Sequence, residues 1–157
     1  MKSQANPKKI LFVCLGNICR SPLAEGIAQT YLEKKGIAWE ADSAGTSGWH
    51  EGEPPCENAI KIAKMHGIEI AHQHSRPVNE ADKDIRTRIV ALDRKNLADL
   101  KAQGFSNVHL LGDFGGFGGE DVPDPYYFPG FEGFEKVYSM IETCVHDFIE
   151  KVENGSL

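Results

Sequence analysis

Apolar residues bunch along this chain in two distinct ways. Ile10-Leu11-Phe12-Val13-Cys14-Leu15 is an unbroken run of six, the pattern of a short strand covered on both faces, as in a parallel sheet. Leu23, Ala24, Ile27, Ala28, Tyr31 and Leu32 recur instead at helical spacing. They predict a helix that opens at Ser21-Pro22 and stops at Gly36, because proline is tolerated in a first turn and glycine takes the left-handed cap. The same reading predicts strands over 39–44, 88–92 and 108–111, a helix over 55–66 with Gly67 behind it, and a helical turn starting at Asn79. Leu97 and Leu100 mark another helix. Phe134, Val137, Tyr138, Ile141, Val145, Phe148, Ile149 and Val152 form one apolar face of a long closing helix.

Strands alternating with helices predict an α/β fold, a single-domain three-layer α/β/α arrangement over 1–157 with a central parallel, four-stranded sheet. Ligands of such sheets bind beyond the carboxyl ends of the strands. That rule directs attention to the loops after Val13, Ala44, Leu92 and Leu111.

Composition narrows the function classes. With 157 residues, 41% hydrophobic and 25% charged, and no repeat or low-complexity linker, the chain reads as one soluble globular domain. Its longest apolar run is far short of the roughly 18 residues that span a bilayer. The basic start (Lys2, Lys8, Lys9) precedes an apolar stretch too short for a signal peptide. Membrane and secreted readings are set aside. A net charge of -6 argues against nucleic-acid binding, which needs a basic footprint. Four cysteines, at 14, 19, 56 and 144, are too sparse for an extracellular disulfide framework. The cytoplasm is the expected compartment, where a cysteine pair is catalytic or redox-active rather than structural.

Chemistry concentrates in Cys14-Leu15-Gly16-Asn17-Ile18-Cys19-Arg20-Ser21. A cysteine ends a buried strand, and an arginine six positions later opens a helix. A loop this short can curl around an oxyanion with its backbone N–H groups turned inward, and the helix N-terminus adds its dipole. Arg20 brings a planar fork to two phosphate oxygens. The same positive potential is expected to hold Cys14 as a thiolate, with Ser21 donating to the sulfur. The loop is not a Walker motif, because no Gly-Lys-Ser/Thr follows the glycine. Phosphoryl transfer to a thiolate also needs a proton for the departing oxygen. Asp124 is the candidate: it lies in the long Gly-rich loop after the last strand, its backbone stiffened by Pro123 and Pro125.

These residues closely resemble the low-molecular-weight protein tyrosine phosphatases. The likeness covers nearly the whole chain. Besides Cys14–Pro22 and Asp124-Pro125-Tyr126-Tyr127, it includes Asp42-Ser43-Ala44-Gly45-Thr46, Trp49-His50 and Gly52-Glu53-Pro54, which are similar to the bacterial branch. The resemblance implies a protein tyrosine phosphatase that hydrolyses phosphotyrosine and aryl phosphate monoesters without a metal or other cofactor. Cys14 would become a phosphocysteine. Arg20 and the amides of Leu15, Gly16, Asn17, Ile18 and Cys19 would hold the phosphate, and Asp124 would serve as acid and then base. Asn17, Ser21, Ser43 and Asp93 would support the loop, together with His72 or His74, which flank Gln73 at the place where the family commonly carries its histidine. Trp49, Tyr126 and Tyr127 would wall the cleft around an aromatic ring. Implied partners are a phosphotyrosine protein as substrate and inorganic phosphate as product and inhibitor, with the protein a monomer or weak dimer.

Further features qualify the likeness. Phe128-Pro129-Gly130 follows the paired tyrosines where the family often continues directly with glycine. Cys56 stands where many relatives carry aspartate, and nothing in the sequence assigns it a role. Cys14 and Cys19, five apart in a bending loop, have the spacing of a peroxide-sensitive pair, with Cys19 as resolving thiol. Cys144, on the apolar face of the last helix, reads as a core residue. Arsenate reductases, phosphocysteine carriers, phosphotyrosine-binding modules and protein-arginine phosphatases are the competing readings. The first needs two further relay cysteines, for which Cys56 and Cys144 have no paired spacing. A carrier would not need Arg20 and Asp124, a binding module would lack nucleophile or acid, and the arginine phosphatases carry threonine where Ile18 stands.

Overall fold

β1 (Lys9–Cys14) takes up the first apolar run and is hydrogen-bonded on both sides. Its neighbours are β2 (Glu40–Gly45) and β3 (Thr87–Ala91), and β4 (Val108–Leu110) closes the far edge. All pairings are parallel, giving the order β2-β1-β3-β4. The coordinates are a computed structural model that describes residues 9–128 and 130–157; Lys2 and Lys8 of the basic start, and Pro129, lie outside them.

Successive residues of a strand point to opposite faces, and here that alternation builds two cores. Ile10, Phe12 and Cys14 face one side, together with buried residues of α1 (Arg20–Lys35), α2 (Glu57–Met65) and α4 (Glu132–Glu153). Leu11 and Val13 face the other, against Leu100 of α3 (Arg94–Ala102) and Phe105. The result is the three-layer arrangement expected from the pattern. Helix boundaries shift by one or two residues, as capping dictates: Gly36 ends α1 in the left-handed conformation at φ 70°, and Asn79 forms a capping box with Asp82 on a short 3₁₀ turn (Glu80–Lys83). Gly26 sits inside α1 despite its poor helix propensity. A Cβ there would come within 2.5 Å of Ile70 Cγ2, so the helix lies close to the segment behind it only because the side chain is missing.

Strand register sets the functional end of the sheet. Cys14 stands level with Gly45, and Val13 with Ala91. Leu92 N–H donates to Val13 O at 3.0 Å, and Val122 N–H donates to Leu92 O at 2.9 Å. Through these two bonds the long loop after β4 returns across the strand ends. Residue 124 thereby comes to the mouth of the loop that begins at Cys14. No helix among the described residues is long and apolar enough to cross a membrane.

Candidate active site

The loop from Cys14 to Arg20 is built around Asn17. Its φ of 57° lies in the left-handed region that side chains seldom enter, asparagine more readily than most. Such a conformation persists only where the surroundings over-determine it. Here they do. The buried Asn17 amide donates through Nδ2 to Ser21 Oγ (2.8 Å) and Ser43 Oγ (3.0 Å), and its Oδ1 accepts from Arg76 N–H (3.0 Å). Its backbone N–H points to Cys14 Sγ at 3.3 Å. Ser21 Oγ, 3.0 Å from Cys14 Sγ, accepts from Asn17, so its single hydrogen is left for the sulfur. Ser43 Oγ in turn donates to Glu25 Oε1 at 2.7 Å.

The back of the loop is clamped as well. Thr46 N–H donates to Cys14 O (2.9 Å), Ser47 N–H to Leu15 O (3.1 Å) and Ser75 Oγ to Gly16 O (2.9 Å). Gly45 makes this approach possible, because a Cβ there would stand 2.7 Å from Leu15 O. The front has the opposite character. Cys19 is the N-cap of α1 and forms no side-chain cap. The N–H groups of the first helical turn lack intrahelical partners, and with the helix dipole they favour an anion.

Arg20 is aimed by two acceptors. Its Nη1 donates to Asp93 Oδ2 at 2.9 Å and to Val122 O at 2.8 Å, with its side chain only 11% exposed. Asp93 does double duty, since its Oδ1 accepts from Asn96 N–H (2.7 Å) and caps α3. Behind the loop, Arg76 is held by Asp42 and Asp82, and these carboxylates raise its already high pKa further. Burial lifts Glu25 to about 7 against the opposing effect of its Ser43 hydrogen bond. Cys144, the second free thiol, donates to Phe114 O at 3.2 Å, and burial pushes it up to about 12. It is an inert core residue, as its place on the last helix implies.

Cys14, Arg20 and Asp124 border one cleft of about 210 Å³, together with Leu15, Gly16, Ile18, Cys19, Trp49, His50 and Tyr126. Asp124 Oδ1 accepts from Tyr126 N–H at 2.9 Å, which orients the carboxylate at the start of a 3₁₀ turn (Pro125–Tyr127). Trp49 and Tyr126 project as exposed rims. Tyr127 does not wall this cleft. It borders the neighbouring depression of about 380 Å³, shared with Asp93, Asp121 and Asp124, because consecutive residues of the turn point in different directions. His50 is an addition: its ring packs where a Gly16 Cβ would be, 3.0 Å from Cδ2, and Nδ1 lies 3.1 Å from Glu53 Oε2. A larger depression of about 410 Å³ is lined by Lys83–Ile85, Thr87–Ile89 and Gly104–His109 and contains no cysteine. It lies at the amino ends of β3 and β4, the wrong end of a parallel sheet for a ligand site.

Other expectations fail. His72 does not support the loop. Over residues 72–75 burial alternates, so His72 and His74 are exposed while Gln73 and Ser75 are buried. Gln73 Nε2 donates to Pro22 O at 3.2 Å, so an amide and not an imidazole braces the start of α1. Cys19 is not a free resolving thiol for Cys14 in this structure. It is disulfide-bonded to Cys56, 37 positions on, with Cα atoms 5.5 Å apart, and Cys14 is free. Folding brings the N-cap of α2 against the loop, where Cys56 N–H donates to Ile18 O at 2.6 Å. No sequence spacing signals that approach.

Comparison with known proteins gives a consistent result. The family described as low molecular weight phosphotyrosine protein phosphatase matches residues 9–156. A low molecular weight protein-tyrosine-phosphatase of Bacillus subtilis, YfkJ, is 40% identical over 151 residues, covering 92% of this chain and 95% of its own. A protein tyrosine phosphatase of Entamoeba histolytica, solved with Hepes in its active site, superposes with a TM-score of 0.86 at 35% identity, over 95% of this chain and 99% of that one. The drosophila arginine phosphatase superposes with a TM-score of 0.83 at 31% identity, over 90% and 96% of the two chains.

Proposed function

This chain belongs to the low molecular weight phosphotyrosine protein phosphatase family, and on that premise we propose that it hydrolyses phosphotyrosine in proteins through a phosphocysteine on Cys14. The observation that carries the reading is the convergence of Cys14, Arg20 and Asp124 on one cleft of about 210 Å³. In the first step Cys14 Sγ attacks phosphorus, the S–P bond forms, and the P–O bond to the tyrosine breaks. Asp124, at the cleft mouth, gives its proton to the departing phenolic oxygen. Arg20 and the N–H groups of the loop and of the first turn of α1 hold the three equatorial oxygens, where negative charge accumulates in the transition state. Asp124 then takes a proton from water as that water attacks phosphorus. Inorganic phosphate leaves, and Cys14 returns as a thiolate held by Ser21 Oγ and the Asn17 N–H. Phosphate, as product, competes for the same loop. The enzyme works in the cytoplasm as a monomer or weak dimer.

Phosphoarginine is the second reading, given the likeness to the drosophila arginine phosphatase. Ile18 speaks against it. This β-branched apolar side chain borders the cleft and has no hydrogen bond to offer a guanidinium. Phosphate release from phosphotyrosine, phosphoserine and phosphoarginine peptides, without added metal, tests the choice. Aryl substrates are expected to dominate, and a preference for phosphoarginine would overturn the assignment. Cys14→Ser is expected to abolish turnover while keeping phosphate binding, and acid quench of the wild type should trap phosphate on Cys14. Label on another residue would refute the nucleophile.

A further inference from the structure

Cys19 is shared by two places. The residue borders the same cleft as Cys14, and its sulfur is bonded to Cys56, which does not border that cleft. Three cysteines therefore follow one another in the order 14, 19, 56, the first two on one cleft and the last two bonded. We propose that Cys56 is the last thiol of a disulfide relay that returns an oxidised nucleophile to its working form. The proposal rests on Cys14 being the reactive thiolate of the phosphatase reading.

The steps balance with a hydroperoxide as oxidant. The Cys14 thiolate of the reduced protein attacks one oxygen of hydrogen peroxide, and the O–O bond breaks. Cys14 is left as sulfenic acid, while hydroxide leaves and takes up a proton as water. The Cys19 thiolate attacks the Cys14 sulfur, the S–O bond breaks, and hydroxide leaves with a proton as a second water. The Cys56 thiolate then attacks Cys19 Sγ, the Cys14–Cys19 bond breaks, and Cys14 departs as thiolate. In sum, two thiols become the Cys19–Cys56 disulfide and one peroxide becomes two waters. The state with Cys19–Cys56 bonded and Cys14 free is the one this structure holds.

Local chemistry gives the relay its direction. In thiol–disulfide exchange the sulfur better stabilised as an anion leaves more readily. Cys14 Sγ has the Asn17 N–H and the Ser21 hydroxyl directed at it. Cys56 is the N-cap of α2 and forms no side-chain cap bond, so in the reduced protein the helix end raises the share of thiolate available to attack. The hydrogen bond from Cys56 N–H to Ile18 O keeps the attacking residue beside the loop. A disulfide in a reducing compartment is ordinarily transient and functional, which suits a relay better than a structural staple.

Fully reduced protein, freed of reductant and given one equivalent of hydrogen peroxide, tests the proposal. Aryl phosphatase activity is followed over time while samples are alkylated and peptide-mapped. Wild type is expected to lose activity and regain it without added thiol, ending with Cys19 linked to Cys56. Cys56→Ser is expected to match wild type before oxidation, then to stay inactive with Cys14 linked to Cys19 until dithiothreitol is added. Unaided recovery of Cys56→Ser would overturn the relay, as would wild type resting at Cys14–Cys19. Formation of Cys19–Cys56 at the wild-type rate in Cys14→Ser would also overturn it, by showing that Cys14 is not the entry point. Turnover before oxidation reports on the phosphatase reading separately.

Discussion

The two halves of the cleft are made differently. On the nucleophile side, Cys14, Asn17 and Ser21 are almost wholly buried, and their partners come from the end of β2, from α1 and from the segment around Ser75 and Arg76. On the acid side, Tyr126 and Tyr127 are 61% and 83% exposed, and the Asp124 carboxylate accepts a bond from an N–H only two residues on. On the proposed mechanism the contrast follows from the work each side does. Donors that stabilise transition-state charge must stand in place before the reaction, since reorganising them would cost the energy they supply. The group that protonates a leaving oxygen must face the opening through which a protein substrate enters. Local turn chemistry and two flanking prolines suffice to present it.

Removing the acid should break one half and leave the other intact. Asp124→Asn keeps an oxygen that can accept from the Tyr126 N–H but has no proton to transfer. A lost general acid costs about 10²–10⁴-fold. That loss is expected in kcat for phosphate esters of poor leaving groups and should shrink for activated phenols, which need little protonation. Phosphate affinity and thermal stability should stay at wild-type values, because the nucleophile side does not rest on Asp124. Equal losses across a series of leaving groups would mean that Asp124 is not the acid.

The same division governs what could be read from the sequence. β1, its loop and α1 follow from a continuous apolar run, a helical repeat and a cysteine and arginine at fixed spacing, all of them local signals. The prolines and long loop around Asp124 mark it in the sequence, and the structure places it on the cleft of Cys14 and Arg20. The supports were less so. Arg76, Gln73 and Ser75 reach the loop from more than 50 residues away, along a segment whose alternating burial decides which side chains turn in. His72 was misplaced for that reason. Glu25 was missed because a charged residue on an amphipathic helix reads as a solvated face. The meeting of Cys19 with Cys56 depends on how α2 packs against the loop, and no short-range pattern encodes that.

Glu25 allows the buried half to be probed through stability. Its carboxyl is raised from 4.5 to about 7, chiefly by burial, with Asp42 adding to the shift while the Ser43 hydrogen bond, Arg76 and Lys9 oppose it. Between those two values the folded state binds more protons than the unfolded one, so stability falls as pH rises through the window. By pH 7 and above, the fold carries a penalty of up to about 3 kcal/mol for ionising this group. Glu25→Gln keeps an oxygen for Ser43 and removes the charge. The variant should match wild type near pH 4.5 and surpass it above pH 7 in urea-unfolding midpoint, with the slope between them lost. A variant whose stability declines with pH as steeply as wild type would show that the penalty arises elsewhere.

The smallest effect is expected at the rim, where Trp49 stands 77% exposed beside the cleft. Among the described residues it has no side-chain hydrogen bond or ring contact with the phosphate loop's supports or with Asp124, so it acts on what the cleft admits. An aromatic pair adds about 0.5–1.5 kcal/mol beyond burial, which corresponds to roughly two- to tenfold in kcat/KM. Trp49→Ala should lower kcat/KM for a phosphotyrosine peptide by that factor, through KM, and leave phosphoserine and phosphoarginine peptides unchanged. Ile18→Thr makes the complementary change, placing a hydroxyl on the cleft where the wild type has an ethyl group, and should narrow the margin over phosphoarginine alone. If neither variant moves the three ratios, the depth of the loop below the rim selects the substrate unaided. The exposed half of the site would then contribute its proton and nothing to recognition.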